Sequence, residues 1–219
     1  MPGITATVIG ATGLIGEHLV EQLQQNNAIE TIRVLVRRPV QFRQSKVEVK
    51  LVNFADPESF KLAIDGSDVV FCAVGTTQKK VKGDKDAYRK VDYEIPLQAA
   101  RFCAETGCQK FLLVSSVGAN SKSNNFYLKL KGEVEDDIKL LPVKMIAIFR
   151  PSMLLGARKE SRPAEKIGQV IMPIFSFLLA GSWRKYKPIH ASDVAAAMIR
   201  ASEQHDEGTY LYEYNRMKP

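Results

Sequence analysis

The chain has 219 residues, 45% of them hydrophobic and 25% charged, which is the composition of a single globular domain with a substantial core. Its formal net charge of +7 indicates an anionic partner, and a phosphorylated small molecule would suffice. The sequence has neither a zinc-ligand spacing nor a basic run interleaved with aromatic residues, so nucleic acid is not favoured as this partner. The 3 cysteines show no metal-ligand spacing, so we expect reduced thiols in a cytoplasmic protein.

No leader or membrane segment is expected from the sequence. The first residues lack the basic region and apolar run of a secretory signal. The apolar stretch from Ile167 to Gly181 is shorter than the ~20 residues that a membrane-spanning helix needs, and Pro173 interrupts it. We expect this stretch to be a buried segment or a lid over a pocket, rather than a dimer contact.

Short apolar runs alternate with helical patterns along the chain. The predicted strands are TATVIG, TIRVLVRRP, KVEVKLVNF, SDVVFCAVG, CQKFLLVSS, VKMIAIFRP and GTYLYEY. The predicted helices are LIGEHLVEQLQQN, DPESFKLAI, DAYRKVDYEIPLQAARFCAETG with a kink or restart at Pro96, the segment from Phe126, and ASDVAAAMIRASEQ. This alternation predicts an α/β fold: a doubly wound parallel sheet of about seven strands with helices on both faces. We expect one domain, 1–219, with an irregular region at about 151–190.

A glycine-rich turn follows the first strand directly. The segment GATGLIG places Gly10, Gly13 and Gly16 between that strand and an amphipathic helix. Glycine permits a tight turn and a close approach of backbone N–H groups to an anion at the start of the helix. The segment therefore predicts a Rossmann-type dinucleotide site, with a simple tight turn as the alternative.

Two arginines end the second strand, where folds of this type bind the adenosine ribose. Arg37 and Arg38 stand at the position at which a carboxylate would select NAD. Guanidinium groups suit a 2′-phosphate, so the pair favours NADP(H), with a solvated basic turn as the alternative. Val74 and Gly75 end the fourth strand and are further candidates for cofactor contact, although Gly75 could simply form a turn.

The fourth predicted helix, which begins at Phe126, carries a tyrosine and a lysine one turn apart. Its apolar residues form one stripe: Phe126, Leu130, Val134, Ile138 and Leu141. Tyr127 and Lys131 lie beside this stripe on a common face. They are either an edge tyrosine with a solvated lysine or an acid/base pair.

The acid/base interpretation assigns chemistry to three side chains. The Lys131 ammonium favours the phenolate form of Tyr127, which could then exchange a proton with a carbonyl or alcohol. Ser115 or Ser116, at the end of the fifth strand, would hold the substrate oxygen, and we choose Ser115 for its distance of 12 residues from Tyr127. Tyr214 and Lys218 share the spacing, but we expect no helix in the tail to align them.

These motifs resemble the short-chain dehydrogenase/reductase superfamily, and particularly its atypical branch around the Tat-interacting-protein-like oxidoreductases, which bind NADPH. The matching segments are GATGLIG, CAVGTT, SSVGANSKSNNFY, YLKLKGEVE, FRPSMLLG and RKESRP. The resemblance implies cofactor contacts from Thr12, Gly13, Leu14, Ile15, Arg37, Arg38, Val74, Gly75, Tyr127, Lys131, Leu154 and Arg162. It also implies that Tyr127 is the proton donor.

The sequence therefore predicts an NADP(H)-dependent oxidoreductase that acts on a small carbonyl or alcohol through Ser115, Tyr127 and Lys131. One alternative is an NADPH-binding sensor or interaction protein with little turnover. Another is a sugar-nucleotide epimerase or dehydratase, which the short C-terminal region disfavours. The sequence leaves the substrate and the oligomeric state open, and a homodimer is one option.

Overall fold

The structure, a computed structural model, describes residues 3–77, 81–156 and 181–218. Its strands are β1 (Ile4–Ile9), β2 (Ile29–Val36), β3 (Val47–Leu51), β4 (Val69–Cys72), β5 (Lys110–Val114), β6 (Met145–Phe149), β7 (Leu154–Leu155), β8 (Ile189–His190) and β9 (Gly208–Tyr212). Its α-helices are α1 (Leu14–Gln25), α2 (Pro57–Ile64), α3 (Lys85–Arg89), α4 (Ile95–Glu105), α5 (Phe126–Lys139), α6 (Ala191–Ser202) and α7 (Tyr214–Met217). A π-helical turn covers Lys90–Glu94, and a 3-10 helix covers Gly181–Tyr186.

Seven strands form one parallel sheet in the order β3-β2-β1-β4-β5-β6-β9. The strand order reverses direction between β1 and β4, which is the switch point of a Rossmann-type fold. All seven strands predicted from the sequence lie in this sheet, so the predicted fold class is confirmed. A separate pair, β7 with β8, was not predicted, because two-residue strands leave no periodic signal.

The sheet is buried on both faces. In β5, Leu112 packs into the cluster formed with α1 and α6, whereas Phe111 and Leu113 pack into the cluster formed with α2, α4 and α5. This alternation follows from the two-residue period of a strand. Because both faces need apolar residues, the central strands read as continuous hydrophobic runs in the sequence.

The long helix predicted before the fifth strand is broken into three pieces. The π-helical turn separates α3 from α4, and the backbone N–H of Ile95 donates to the carbonyl of Lys90. Pro96 has no N–H group and cannot bond to the preceding turn, which agrees with the predicted kink or restart. The expectation that the C-terminal tail has no helix is wrong, since α7 begins at Tyr214.

The long apolar stretch that we predicted to be a buried segment or lid falls almost entirely on 157–180, outside the described residues. Within the ranges that the structure does describe, no helix combines the length and the apolar character that crossing a membrane requires.

A close contact fixes the loop that follows β5 against α5. A Cβ atom added to Gly132 would overlap the backbone N of Ser121 and lie 2.6 Å from the Cα of Asn120. The backbone N–H of Asn120 also donates to the carbonyl of Leu128, at 3.0 Å. The helix that carries Tyr127 is therefore held against this loop by backbone contacts that only glycine permits.

Replacing Gly132 with alanine should destabilise the protein by about 2 kcal/mol, because the overlap with backbone atoms exceeds the gain in helix propensity. The control is Lys129→Ala on the same helix, whose side chain is 54% exposed and which should change stability by less than about 0.5 kcal/mol. Urea denaturation measures both, and equal midpoints for the two variants would contradict the proposed contact.

Candidate functional site

The glycine turn after β1 has the close approaches that the sequence predicted. Gly10 has φ +89°, and a Cβ added there would lie 2.7 Å from the carbonyl carbon of Ala73 and 2.8 Å from the N of Val74. A Cβ on Gly16 would overlap the carbonyl oxygen of Gly10, whereas the N–H of Gly13 donates to that oxygen at 2.9 Å. The glycines thus bring the start of α1 and the loop after β4 against the end of β1.

The first turn of α1 is available for an anion. The N-cap of α1 is Gly13, which has no side chain that could accept a hydrogen bond. The backbone N–H groups of the first turn are therefore not bonded to a capping side chain. Thr12 is exposed and Leu14 is half-buried, whereas Ile15 is 5% exposed and packs in the core. Ile15 can therefore offer a ligand only its backbone. This arrangement fits a pyrophosphate group.

The two arginines predicted to bind a 2′-phosphate follow β2 directly. Arg37 and Arg38 are both exposed. Across the described ranges, neither guanidinium forms an ion pair with a carboxylate. Both charges are therefore free to meet an anion, at the same edge of the sheet as the glycine turn.

Three further predicted cofactor contacts, Val74, Gly75 and Leu154, lie on the carboxyl side of strands of the main sheet. Val74 is half-buried and packs against the core, and Gly75 is exposed. Leu154 is half-buried in β7, beyond the end of β6. Arg162 lies outside the described residues.

The ring of Tyr127 packs against Tyr88 on α3. It is half-buried, and its centroid lies 6.2 Å from that of Tyr88 in an edge-on arrangement. The hydroxyl of Tyr88 donates to the backbone carbonyl of Thr76 at 3.3 Å. Tyr127 therefore packs against Tyr88, and it is the hydroxyl of Tyr88 that bonds to the loop after β4.

Lys131 is a buried ion-pair partner, so the alternative of a solvated lysine is wrong. Its side chain is 3% exposed, and its Nζ lies 3.0 Å from Oδ1 of Asp92, which is 1% exposed. The other carboxylate oxygen of Asp92 accepts the N–H of Thr76 at 2.8 Å. Burial opposes the charged amine, but the nearby Asp92 carboxylate and the Tyr127 side chain outweigh it and raise the pKa of Lys131.

Ser115 is held by a second buried network. It is 5% exposed, and its hydroxyl donates to Oε1 of Glu135, which is fully buried. The Nε of Arg150 donates to the same oxygen at 2.9 Å. Ser116 is half-buried, and among the described residues its hydroxyl makes only a long hydrogen bond of 3.4 Å, to the carbonyl of Val117. The structure thus places Ser115 at the predicted edge with its hydroxyl already committed to α5.

Sequence reasoning missed the two buried acids. Asp92 interrupts an apolar stripe that contains Tyr88, Ile95 and Ala99, and Glu135 follows Lys131 by one turn. An acid on an otherwise buried face was the available signal, because a buried carboxylate needs a partner. In the second Tyr-x-x-x-Lys spacing, Tyr214 and Lys218, the Lys218 ammonium lies 2.7 Å from Asp193 on α6.

A family model described as NAD(P)H-binding matches residues 10–143. The chain belongs to this family of nicotinamide-dinucleotide-binding proteins, as an atypical short-chain dehydrogenase/reductase. It is 38% identical over 198 residues to "Protein FMP52, mitochondrial" of Candida albicans, covering 88% of this chain and 85% of that protein. It is 32% identical over 195 residues to "Protein HTATIP2" of Rattus norvegicus, covering 88% of this chain and 78% of that protein. The predicted superfamily and its atypical branch are confirmed.

Solved structures confirm the Rossmann-type fold. MoeE5 in complex with UDP-glucose and NAD superposes with a TM-score of 0.71 at 15% identity, covering 97% of this chain and 79% of that one. The UDP-glucose 4-epimerase of Thermus thermophilus in complex with NAD gives a TM-score of 0.70 at 19% identity, covering 96% of this chain and 78% of that one. At these identities the likeness establishes the fold of this NAD(P)H-binding protein and no more.

The expectation of a cytoplasmic protein is wrong. It rested on three unpaired cysteines, and all three are indeed free and buried. However, relatives over most of the chain are named mitochondrial, including FMP52 of Candida albicans and FMP52 of Debaryomyces hansenii. Reduced thiols do not distinguish the cytosol from other reducing compartments.

Substituting Glu135 with glutamine should lower the free energy of unfolding by about 3 kcal/mol, because it removes the charge that is paired with the largely buried Arg150. The neighbouring substitution Asp136→Asn is the control, since that side chain is 55% exposed and should cost less than about 1 kcal/mol. Thermal denaturation of this NAD(P)H-binding protein measures both. A melting temperature of the Glu135 variant no lower than that of the Asp136 variant would contradict a stabilising role of the buried ion pair between Glu135 and Arg150.

Proposed function

We propose that this protein is an NADP(H)-dependent oxidoreductase that interconverts a small carbonyl compound and an alcohol, with Tyr127 and Lys131 as its acid/base pair. One observation carries the proposal. Both side chains connect to Thr76, Tyr127 through Tyr88 and Lys131 through Asp92. The loop that contains Thr76 begins at Ala73, which lies against Gly10 of the glycine turn.

Different residues at the carboxyl edge of the sheet would hold different parts of the cofactor. The N–H groups at the start of α1 would hold the pyrophosphate, and Arg37 with Arg38 would hold the 2′-phosphate. Val74 and Leu154 would contact the cofactor through apolar surface. A bound nicotinamide dinucleotide supplies the hydride, so the protein has to supply orientation and a proton.

The proton is assigned to the phenol of Tyr127. Its O–H would donate to the oxygen of a carbonyl substrate, or its phenolate would accept from an alcohol. The Lys131 ammonium would stabilise the phenolate through its charge. Since the hydroxyl of Ser115 is committed to Glu135, we favour Ser116 over Ser115 as the hydroxyl that positions the substrate oxygen.

A second candidate is an NADPH-binding protein with little turnover. The observation that favours it is that both the Lys131 ammonium and the Ser115 hydroxyl already have buried partners in the chain. A protein that binds the dinucleotide for recognition needs the glycine turn and the arginines, but it does not need a free acid/base pair.

We propose a mitochondrial location, which is supported by the names of the FMP52 relatives.

The cofactor preference tests the role of the two arginines. NADPH should bind at least tenfold more tightly than NADH, because each charge-assisted hydrogen bond to the 2′-phosphate contributes about 1.5–3 kcal/mol. The double substitution Arg37→Ala/Arg38→Ala should weaken NADPH binding by about 10–100-fold and leave NADH binding nearly unchanged. Arg101→Ala, an exposed arginine on α4, is the control. Titration by nicotinamide fluorescence measures the affinity of each of the three proteins for both cofactors. Equal affinities for NADPH and NADH in the unmodified protein would contradict the proposal.

Replacing Tyr127 with phenylalanine separates the two candidate functions. On a panel of aldehydes, ketones and UDP-glucose, the oxidoreductase proposal predicts that turnover falls by about 10²–10⁴-fold while the Kd for NADPH changes less than about threefold. The comparison of Ser116→Ala with Ser115→Ala then identifies the working hydroxyl, and we expect the larger loss of kcat from Ser116→Ala.

The panel also has outcomes that count against the oxidoreductase. Tight NADPH binding without turnover of any compound would support the NADPH-binding candidate instead. Turnover confined to UDP-glucose would indicate sugar-nucleotide chemistry. Turnover that survives in Tyr127→Phe would remove the phenol from the mechanism.

A further inference from the structure

Asp92 occupies an unusual backbone position. It lies in the π-helical turn between α3 and α4, where the N–H of Ile95 bonds to the carbonyl of Lys90 rather than to that of Val91. Such wide turns occur often at functional sites, because they reorient one side chain relative to a regular helix. Here the turn directs an acid with 1% exposure into the interior, beside Gly75, whose added Cβ would lie 3.4 Å from Oδ1.

The two oxygens of this carboxylate have separate partners on separate elements. Oδ1 pairs with the ammonium of Lys131 on α5, and Oδ2 accepts the N–H of Thr76 in the loop after β4. A single buried anion therefore links the proposed acid/base helix to the loop that meets the glycine turn. An ion pair in the interior is costly unless its remaining hydrogen-bonding capacity is satisfied, and Thr76 contributes that bond.

We propose that Asp92 is a positioning residue of the acid/base site, which keeps the buried Lys131 charged and fixes it between Tyr127 and the loop at Thr76. This inference rests on the oxidoreductase function proposed above. Asp92 itself acts through Lys131 and touches neither the phenol nor the reacting atoms.

Three groups face the Lys131 ammonium from the elements around it. They are Asp92 from the π-helical turn, Tyr127 from the preceding turn of α5, and Cys72 from the end of β4. Burial raises the pKa of the Cys72 thiol to about 12, so this group stays neutral at physiological pH. Asp92 is therefore the carboxylate that compensates the desolvation of the lysine.

The sign of the pH effect follows from this balance. The pKa of Lys131 is raised relative to an ordinary lysine, so the pair stabilises the protein at neutral pH, and the stabilisation is lost as the pH rises through the raised value. With Asp92 replaced by asparagine, desolvation dominates and the pKa of Lys131 falls.

The test is the titration of Lys131 in protein labelled at the lysine side chains, followed by NMR without cofactor or substrate. The Lys131 signal is assigned by its absence in Lys131→Met. We expect the titration midpoint to drop by about 2 pH units in Asp92→Asn. It should stay unchanged in Asp86→Asn, an exposed acid on α3. Equal midpoints in Asp92→Asn and the unmodified protein would overturn the proposal.

A double-mutant cycle covers the case in which Asp92→Asn disturbs folding. If Asp92 acts through Lys131, then Asp92→Asn should lower the melting temperature clearly in the unmodified protein and by less than half as much in a Lys131→Met background. Equal losses in both backgrounds would show a structural role that is independent of the lysine and would overturn the proposal.

Turnover gives a separate readout. In the oxidoreductase, Asp92→Asn should lower kcat by about tenfold or more, and the alkaline limb of the kcat profile should shift to lower pH together with the Lys131 titration. Asp92→Glu, which keeps the charge, should restore part of the rate. A protein without turnover on any substrate would contradict the proposed function, whereas the titration and the cycle would still decide the role of Asp92.

Discussion

The buried Asp92 carboxylate is the interaction on which the arrangement of the candidate site depends. It holds the ammonium of Lys131 at 3.0 Å and the N–H of Thr76 at 2.8 Å. Without this anion, a lysine with 3% exposure would be an uncompensated charge in the core. The same contact sets the distance between α5 and the loop after β4. The position of the proposed proton donor therefore depends on an acid located 35 residues earlier in the chain.

Parallel topology explains why distant segments meet at this place. All seven strands of the main sheet run in the same direction, so the residues that follow them lie along one edge. The switch point between β1 and β4 opens a crevice there, and the glycines allow the backbone of Gly10 to approach Ala73 closely enough to shape it. The fold thus provides the crevice for the proposed dinucleotide site, and α5 carries the proposed acid/base pair.

Much of the architecture was predictable from the sequence, because periodicity and glycine spacing are local signals. The seven strands, the glycine turn and the interruption near Pro96 each follow from residues close together in the chain. The partners of the catalytic candidates were not predictable in this way. Whether Ser115 faces a substrate or Glu135 depends on how α5 packs against the end of β5. The pairing of Lys131 with Asp92 likewise depends on a π-helical turn for which the sequence gives only an indirect sign, an acid within an apolar stripe.

The cellular location of the protein could not be predicted from the sequence for a different reason. Composition and cysteine usage indicate the redox environment of a chain but not its cellular compartment. They could therefore not distinguish the cytoplasm from the mitochondrion, which the names of its relatives give. Likewise, the family establishes NAD(P)H binding, whereas the preference for the phosphorylated form is a proposal that rests on the exposed Arg37 and Arg38.

The most direct test of the central claim is a crystal structure of the complex with NADPH, in which the distance from the hydroxyl of Tyr127 to the reactive carbon of the nicotinamide ring is measured. If the phenol and the dinucleotide share one crevice, that distance should be within about 6 Å, since a substrate carbonyl has to contact both groups. A nicotinamide ring bound far from α5, or a tyrosine ring directed away from it, would contradict the account.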